Sequence, residues 1–547
     1  MDSIELVLAM LLAVVASSYL VRTLPLPLPL PLVQIAMGAA IAGVFDHGMV
    51  LDPGMFFLLF MPPLLFLDGW RIPKNGLLRD KVMILQLALG LVVFTVVGAG
   101  FLIHWLIPAM PLAVAFALAA IVSPTDPVAV SSIAARVPIP RRLLHILEGE
   151  SLLNDATGLV CFRFAVAAAV TGSFSIASAS LTFLWLAGVG VTIGVLFTLA
   201  VSYMQRWLSR QIGEESGSPI LISLLIPFGA YLLADHLQAS GILAAVAAGI
   251  TMSYVELSGR ALATTRVQRT VVWNMVQLAL NGIVFVLLGE QLPGILRGAV
   301  TAAEQSAHLS PWWLLIYALA ISFGLTVLRL AWVWVSLRLA LLAARHRGET
   351  ATQPHWRLVL ATSLAGVRGA ITLAGVLSLP LLMPDGTAFP ARDLAIFLAA
   401  AVILLSLLMA AIGLPQLLKD LQLPPEPLEQ QEEDAARHAA ALAAIAAIEK
   451  AQQQLLLNST AGDADIYSHV AARVIALYQH RLDQDASSES EAQQLHKADK
   501  VETGLRLAAL QAERDEIFDL ARHARISDET SRRLVRELDL AEARHRQ

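Results

Sequence analysis

The sequence predicts an all-α polytopic membrane protein of about thirteen transmembrane helices, built from inverted repeats with two crossing broken helices and followed by a helical cytoplasmic tail. Three observations carry that prediction. The chain is 57% hydrophobic and only 15% charged over 547 residues, too apolar for a soluble chain of that length. Apolar runs of membrane length recur through its first three quarters. Two of those runs are interrupted, one by Ser123-Pro124-Thr125-Asp126-Pro127 and one by Gly366-Val367-Arg368-Gly369.

Runs suited to a helix crossing the hydrocarbon core lie at residues 4–22, 26–45, 54–70, 82–106, 112–133, 146–170, 181–204, 218–236, 240–256, 271–292, 312–341, 358–380 and 393–418. The first is long for a signal segment, lacks a basic leader and shows no cleavage site before Arg22, so it reads as a retained span. Alternating prolines in TLPLPLPLPL at 23–32 forbid regular helix and predict an extended lead into the second span. Residues 218–256 read either as one long kinked segment or as two spans joined at 238–241. With thirteen spans and the N-terminus outside, the inner loops carry sixteen Lys and Arg and the outer loops only Arg297 and Arg392. That bias sets the N-terminus outside and the C-terminus in the cytoplasm.

The first break lies in the fifth run. Pro124 and Pro127 each remove a backbone donor and disfavour α conformation in the residue before, so the helix opens around Thr125 and Asp126. Unpaired backbone survives at bilayer depth only where it lines a polar cavity. In the sixth run, Glu150 and Asn154 are four apart and so are Ser151 and Asp155, which puts two carboxylates, an amide and a hydroxyl on one helical face. Loop carboxylates or a purely structural ion pair are the bland reading, and the long apolar flanks weigh against it. The second break puts Arg368 in the middle of the twelfth run, where it needs an acidic partner from the sixth. Interrupted spans at corresponding places point to halves formed by spans one to six and eight to thirteen, with the seventh as connector.

Matching third and tenth spans carry Asp68 after Pro62 and Pro63, and Asn281 with Glu290. Glu290 reads as an interfacial charge, Asp68 equally as interfacial or functional. His104 and Arg163 read as structural polar residues, and the single Cys161 as a small buried hydrophobe. From about Pro424 the composition turns to Glu, Gln, Ala, Arg and His. The domain boundaries are therefore 1–422 for the membrane part and 423–547 for a solvated tail. The tail has helical stretches at 434–457, 465–482 and 497–545, a linker over 485–491, and a partial apolar stripe of Leu505, Leu507, Leu510 and Ile517. Its histidines show no metal-ligand spacing.

A water-accessible carboxylate at bilayer depth holds either a proton or a small cation, and competition for it couples the two. Asp155 would bind a dehydrated alkali ion with the Ser151 hydroxyl and carbonyls freed around Thr125, since hard cations prefer oxygen. Asn154 cannot titrate, which favours one cation for one proton and an electroneutral cycle. Arg368 would pair with Glu150 and keep that pair out of the transported charge.

SPTDPVAV at 123–130, EGESLLNDATG at 148–158, PPLLFLDGW at 62–70 and GVRGAITLAGVLSLP at 366–380 resemble the bacterial sodium/proton exchangers of the monovalent cation:proton antiporter-1 family, over about residues 4–420. The resemblance implies a homodimer in the bacterial inner membrane, with dimerisation and core subdomains working by an elevator-like alternating access. It implies that Asp155 is the ion- and proton-binding carboxylate, with Asn154, Ser151, Thr125 and Asp126 around it, Asp68 nearby, and Arg368 paired with Glu150. The substrates it implies are H+ and Na+, with Li+ or K+ as further cations; cofactors and nucleic acid have no place in it. A K+/H+ exchanger is the runner-up. A gated cation channel lacks a glycine filter loop, and an ion sensor reporting to the tail is a third class. No nucleotide loop, zinc motif or nucleophile elbow suggests an enzyme.

Overall fold

A computed structural model describes residues 2–23, 28–44, 53–72, 84–126, 141–172, 176–212, 217–256, 263–307, 312–346, 355–419, 427–457, 461–486, 489–523, 525 and 528–545. These residues are helical almost throughout, with one isolated β-bridge between Leu382 and Ala388. The chain divides into two units, Met1–Gln422 and Leu423–Gln547.

The first unit begins with α1 (Asp2–Thr23), α2 (Leu30–Val44) and α3 (Pro53–Arg71). Residues 28 and 29 are non-helical, and Pro31 sits in the first turn of α2, where its missing N–H has no helical partner to lose. Four of the ten residues of the proline-alternating stretch, 24–27, lie outside the described residues, and its last three, 30–32, are already helical. Next come α4 (Gln86–Leu106), which opens with a π-helical stretch over Gln86–Leu91, and α5 (Leu112–Val122). His104 hydrogen-bonds the Met110 carbonyl at 2.9 Å and so ties down the end of α4. There follow α6 (Arg141–Thr171), α7 (Ile176–Ile212), α8 (Gly217–His236) and α9 (Gly241–Glu256). The 218–256 run is thus two helices, turned at Gln238, which takes a left-handed φ of 50°. The unit ends with α10 (Ala263–Ala307), α11 (Trp312–His346), the short α12 (Trp356–Leu364) and α13 (Ala370–Leu377), and α14 (Arg392–Leu418).

Each of the thirteen expected spans therefore overlaps a helix or, for the twelfth, a broken pair. Among the described residues, eight helices are long and apolar enough to cross a membrane, and α2, α5 and α9 are shorter apolar helices. Glu290 corrects its expectation: α10 runs on past it to Ala307, and the side chain is buried rather than at an interface. Seventeen further helical residues carry the true end of the element away from it.

Two helix crossings organise this unit, α2 on α10 and α3 on α9. In each, a glycine from either partner lets the backbones touch. A Cβ on Gly69 of α3 would lie 2.6 Å from the Val246 carbonyl oxygen, and one on Gly249 of α9 would collide with the Phe66 carbonyl. Gly38 of α2 and Gly289 of α10 stand in the same relation to Val286 and Ile35. Small residues are how helices without a hydrophobic driving force between them gain contact in lipid. The second helix of one half on the third of the other, twice over, is the exchange that two related halves produce.

In the second unit, α15 (Pro427–Leu457) packs on α16 (Ala461–Ala486) and α17 (Glu489–Arg522) on α18 (Asp528–His545). Ala441 and Ala471 are the buried contact residues of the first pair. Arg514 holds the second by ion pairs to Asp539 at 2.9 Å and to Glu542. Three tail expectations change. The 497–545 stretch is two helices, and the stripe runs through Leu507, Leu510 and Ile517, each half-buried, while Leu505 points to solvent. The 3.6-residue period accounts for it, since position 505 lies off the face that 507, 510 and 517 share. The expected linker is nearly all helix, with only residues 487 and 488 undescribed.

Candidate ion-binding site

The two breaks meet, and each satisfies the other's backbone. The amide of Asp126, in the first break, donates to the Val367 carbonyl in the second at 2.7 Å. Arg368 reaches back: its Nε donates to the Val122 carbonyl at 3.0 Å, its Nη1 to the Gly366 carbonyl, and its backbone amide to Ser406 Oγ of α14 at 3.1 Å. Val122 ends α5 and Gly366 lies just past α12, so the guanidinium sits where two helix termini concentrate negative partial charge. At the opposite pole, Asp126 lies against Gly369, ahead of the N-terminus of α13; a Cβ there would overlap its carboxylate. The crossing is closed packing of opposite partial charges, and only glycine fits position 369.

Thr125 is the hub on the α6 side. Its carbonyl accepts the Ser151 hydroxyl at 2.8 Å, its own hydroxyl donates to Glu150 Oε1 at 3.2 Å, and the same oxygen accepts Asn154 Nδ2 at 3.0 Å. Pro124 rests on Gly158 of α6, where a Cβ would come 2.9 Å from its Cδ. The i, i+4 spacing read from the sequence thus places Glu150, Ser151, Asn154 and Asp155 against the opened backbone of α5.

Glu150 does not pair with Arg368. Its carboxylate takes a two-pronged ion pair from Arg329 of α11, Nη1 to Oε1 at 2.5 Å and Nη2 to Oε2 at 2.8 Å, and Arg329 Nε donates to the Thr362 carbonyl at 3.2 Å. Both side chains are at most 3% exposed. The planar fork suits a carboxylate, while Arg368 turns its Nε and Nη1 to carbonyls. In the sequence Arg329 shows only as a charged residue inside the apolar run 312–341.

A small cavity of about 40 Å3 opens beside the crossing, several times the space one water needs. Asp68, Thr125, Asp126, Ser151 and Asp155 line it, with Gly369, Ile371 and Thr372 from the second break and Gln277 and Asn281 from α10. Five of the six expected ion-site residues share this cavity. Asn154 stands behind it and acts on it through Thr125, with its own Oδ1 buried and without a hydrogen-bond partner among the described residues. Asp155 is 7% exposed and Asp68 half-buried, and neither accepts a hydrogen bond among the described residues; Arg71 acts on Asp68 electrostatically, whereas only the carboxylates of Asp126 and Asp68 act on Asp155. No group of three or more His, Cys, Asp or Glu side chains among those residues converges closely enough to hold a metal ion. The acids share a cavity without sharing a point.

The family model for the transmembrane sodium/hydrogen exchanger matches residues 8–420. The chain belongs to this family. Sodium/hydrogen exchanger relatives include an uncharacterized Na(+)/H(+) exchanger, YjcE, of Escherichia coli (strain K12), 42% identical over 540 residues and covering 98% of both chains. A second is the sodium, potassium, lithium and rubidium/H(+) antiporter of Bacillus subtilis (strain 168), 41% identical over 421 residues, which are 75% of this chain and 61% of that one. Among solved structures, the sodium proton antiporter MjNhaP1 from Methanocaldococcus jannaschii at pH 8 superposes with a TM-score of 0.57 at 17% identity, covering 77% of this chain and 99% of its own. That likeness shows the exchanger fold: an all-α membrane protein of sodium/hydrogen exchanger architecture.

Proposed function

We propose that this exchanger swaps a monovalent cation, Na+ foremost and Li+ or K+ besides, for H+ at Asp155 by alternating access, one ion for one proton. The observation that carries the reading is a buried carboxylate, Asp155, open to a small cavity lined by further oxygens and facing no counter-charge among the described residues. A buried anion without a partner must be met by a solute charge. A proton and an alkali ion are the two that fit, and they exclude each other there. The Ser151 hydroxyl, Thr125, Asp126 and Asp68 complete the oxygen set, Asn154 holds Thr125 without titrating, and the Glu150–Arg329 pair lies outside the transported charge.

Under the basic-loop topology, with the N-terminus outside and the C-terminus in the cytoplasm, Asp68, Ser151, Asp155 and Gln277 all fall in the inner halves of their helices. The cavity then faces the cytoplasm, and the protein is in its inward-facing state in a bacterial plasma membrane. The partners of this reading are a second copy, as a homodimer, and the bilayer. In the elevator, the crossing with α6 moves against α3 and α10. A K+/H+ exchanger is the second reading, favoured by the four cations in the name of the Bacillus subtilis relative.

The test is cation-driven dissipation of a pH gradient in proteoliposomes, titrating Na+, Li+ and K+ in turn. Asp155→Asn is expected to abolish exchange with all three while the protein still folds; exchange that survives removes Asp155 from the role. Rates independent of an imposed membrane potential support the electroneutral cycle, and Asn154→Asp is expected to introduce voltage sensitivity.

A further inference from the structure

Two amides of α10, one turn apart, line the cavity opposite Asp155, and their hydrogen bonding differs. Arg71, at the end of α3, donates Nη1 to Gln277 Oε1 at 2.6 Å and Nη2 to Asn274 Oδ1. With its oxygen held by a guanidinium, Gln277 has only its NH2 left for the cavity, a donor that repels a cation and suits a carboxylate. Asn281 is the other amide. It is half-buried, lines the cavity, and makes no side-chain hydrogen bond to any described residue. Its oxygen is uncommitted on a wall whose neighbouring amide is locked the other way.

Resting on the Asp155 reading above, we propose that Asn281 supplies a neutral oxygen ligand to the transported cation from the α10 wall and sets the choice among Na+, Li+ and K+. Amide oxygens are ordinary ligands of hard cations. A neutral one adds affinity without adding a titrating group, so the proton count of the cycle is unchanged. The ligand comes from the wall facing the α5–α6–α13 crossing. The ion must therefore span from Asp155 to Asn281, and its radius decides whether both are reached at once. The same geometry makes the contact specific to one state of the transporter, because displacement of the crossing against α10 separates the two ligands and frees the ion.

The test uses the full-length protein in liposomes, with the apparent KM and Vmax measured for Na+, Li+ and K+ separately. Asn281→Ala is expected to keep exchange, to raise KM for the preferred cation about tenfold, the scale of one lost polar contact to a charged group, and to change the KM ratios among the three. Vmax is expected to stay within about twofold, because the proton-binding carboxylate is intact. The isosteric Asn281→Asp is expected to lower KM and to make it more dependent on pH; should the alanine variant fail to fold, this one decides. KM values and ratios that move less than about twofold in the folded variants overturn the inference. Asp155→Asn run alongside separates the two claims. Its loss of exchange with unmoved Asn281 constants sinks the ligand and leaves the carboxylate, whereas exchange that survives Asp155→Asn sinks the carboxylate reading itself.

Discussion

The Glu150–Arg329 pair can be weighed by a double-mutant cycle in which Arg368 supplies the comparison. Fork and carboxylate meet at 2.5 and 2.8 Å, with both side chains at most 3% exposed. Two unit charges about 4 Å apart at an effective dielectric near 20 attract by about 4 kcal/mol. Leaving one member of a buried pair unmatched costs about 3–5 kcal/mol. Glu150→Gln and Arg329→Gln are each expected to lose stability on that scale, and the double variant to lose less than their sum by about 2–4 kcal/mol. Arg368 feels Glu150 electrostatically but bonds to the Val122 and Gly366 carbonyls instead, so its coupling to Glu150 is expected below about 1 kcal/mol. Reversible unfolding in mixed detergent micelles gives the free energies of all six variants, the three singles, the two Glu150 doubles and the triple. A coupling of Glu150 to Arg368 equal to or larger than that to Arg329 would refute the assignment of partners.

Gly369→Ala is expected to depress exchange at least tenfold at near-normal expression, because its methyl would occupy the place of the Asp126 carboxylate; transport rate per folded molecule, from fluorescence size exclusion, checks it. In the loop between α13 and α14, the Thr387 hydroxyl and amide hold the Asp385 carboxyl below the usual range. A depressed folded value means that the group stabilises its turn above the ordinary carboxylate range and ceases to do so as pH falls through the lowered value. Amide exchange at residues 383–389 is expected to quicken under acid in the wild type and to be fast at every pH in Asp385→Ala.

How much of this was legible from residue order alone follows the physics of each feature. Hydrophobic length is written locally, so the helices were there to read, and the breaks were equally visible because proline and a mid-span arginine act on their own neighbours. The α6 cluster came through because i, i+4 spacing becomes a shared face whenever a helix forms. Partnership is not local. Glu150 needed an arginine, and nothing in the order of residues distinguishes Arg368, 218 positions on, from Arg329, 179 positions on; a fork aimed at a carboxylate is a property of helix packing. Glu290 was misplaced for the opposite reason, because the fall in hydropathy at 290–293 says nothing of whether the helix stops there. The α10 amides belong to the same class: Gln277 and Asn281 acquire meaning only once α3 and the crossing bring Arg71 and Asp155 to them.

The balance of charge around the crossing supports the proposal that the cavity, rather than some other polar spot, takes the ion. Glu150 and Arg329 cancel each other in place. Arg368 is spent on two helix ends, and Asp126 faces the N-terminal pole of α13. What these contacts leave unanswered among the described residues is Asp155, which opens on the same small volume as Asp68, itself under the charge of Arg71. A bilayer core gives no water in bulk to screen them, so carboxylates there are stabilised by protonation or by a bound cation. The neutral groups around them, Thr125, Ser151 and Asn281, can stabilise an ion without supplying a permanent counter-charge that would hold the cavity shut. A lysine or arginine at any of those three positions would satisfy Asp155 permanently. Ser151→Lys, which gives up the bond to the Thr125 carbonyl, is therefore expected to exchange nothing even in the fraction that folds, and a folded Ser151→Lys protein that still moves Na+ against H+ would show that the carboxylate need not be vacated for transport.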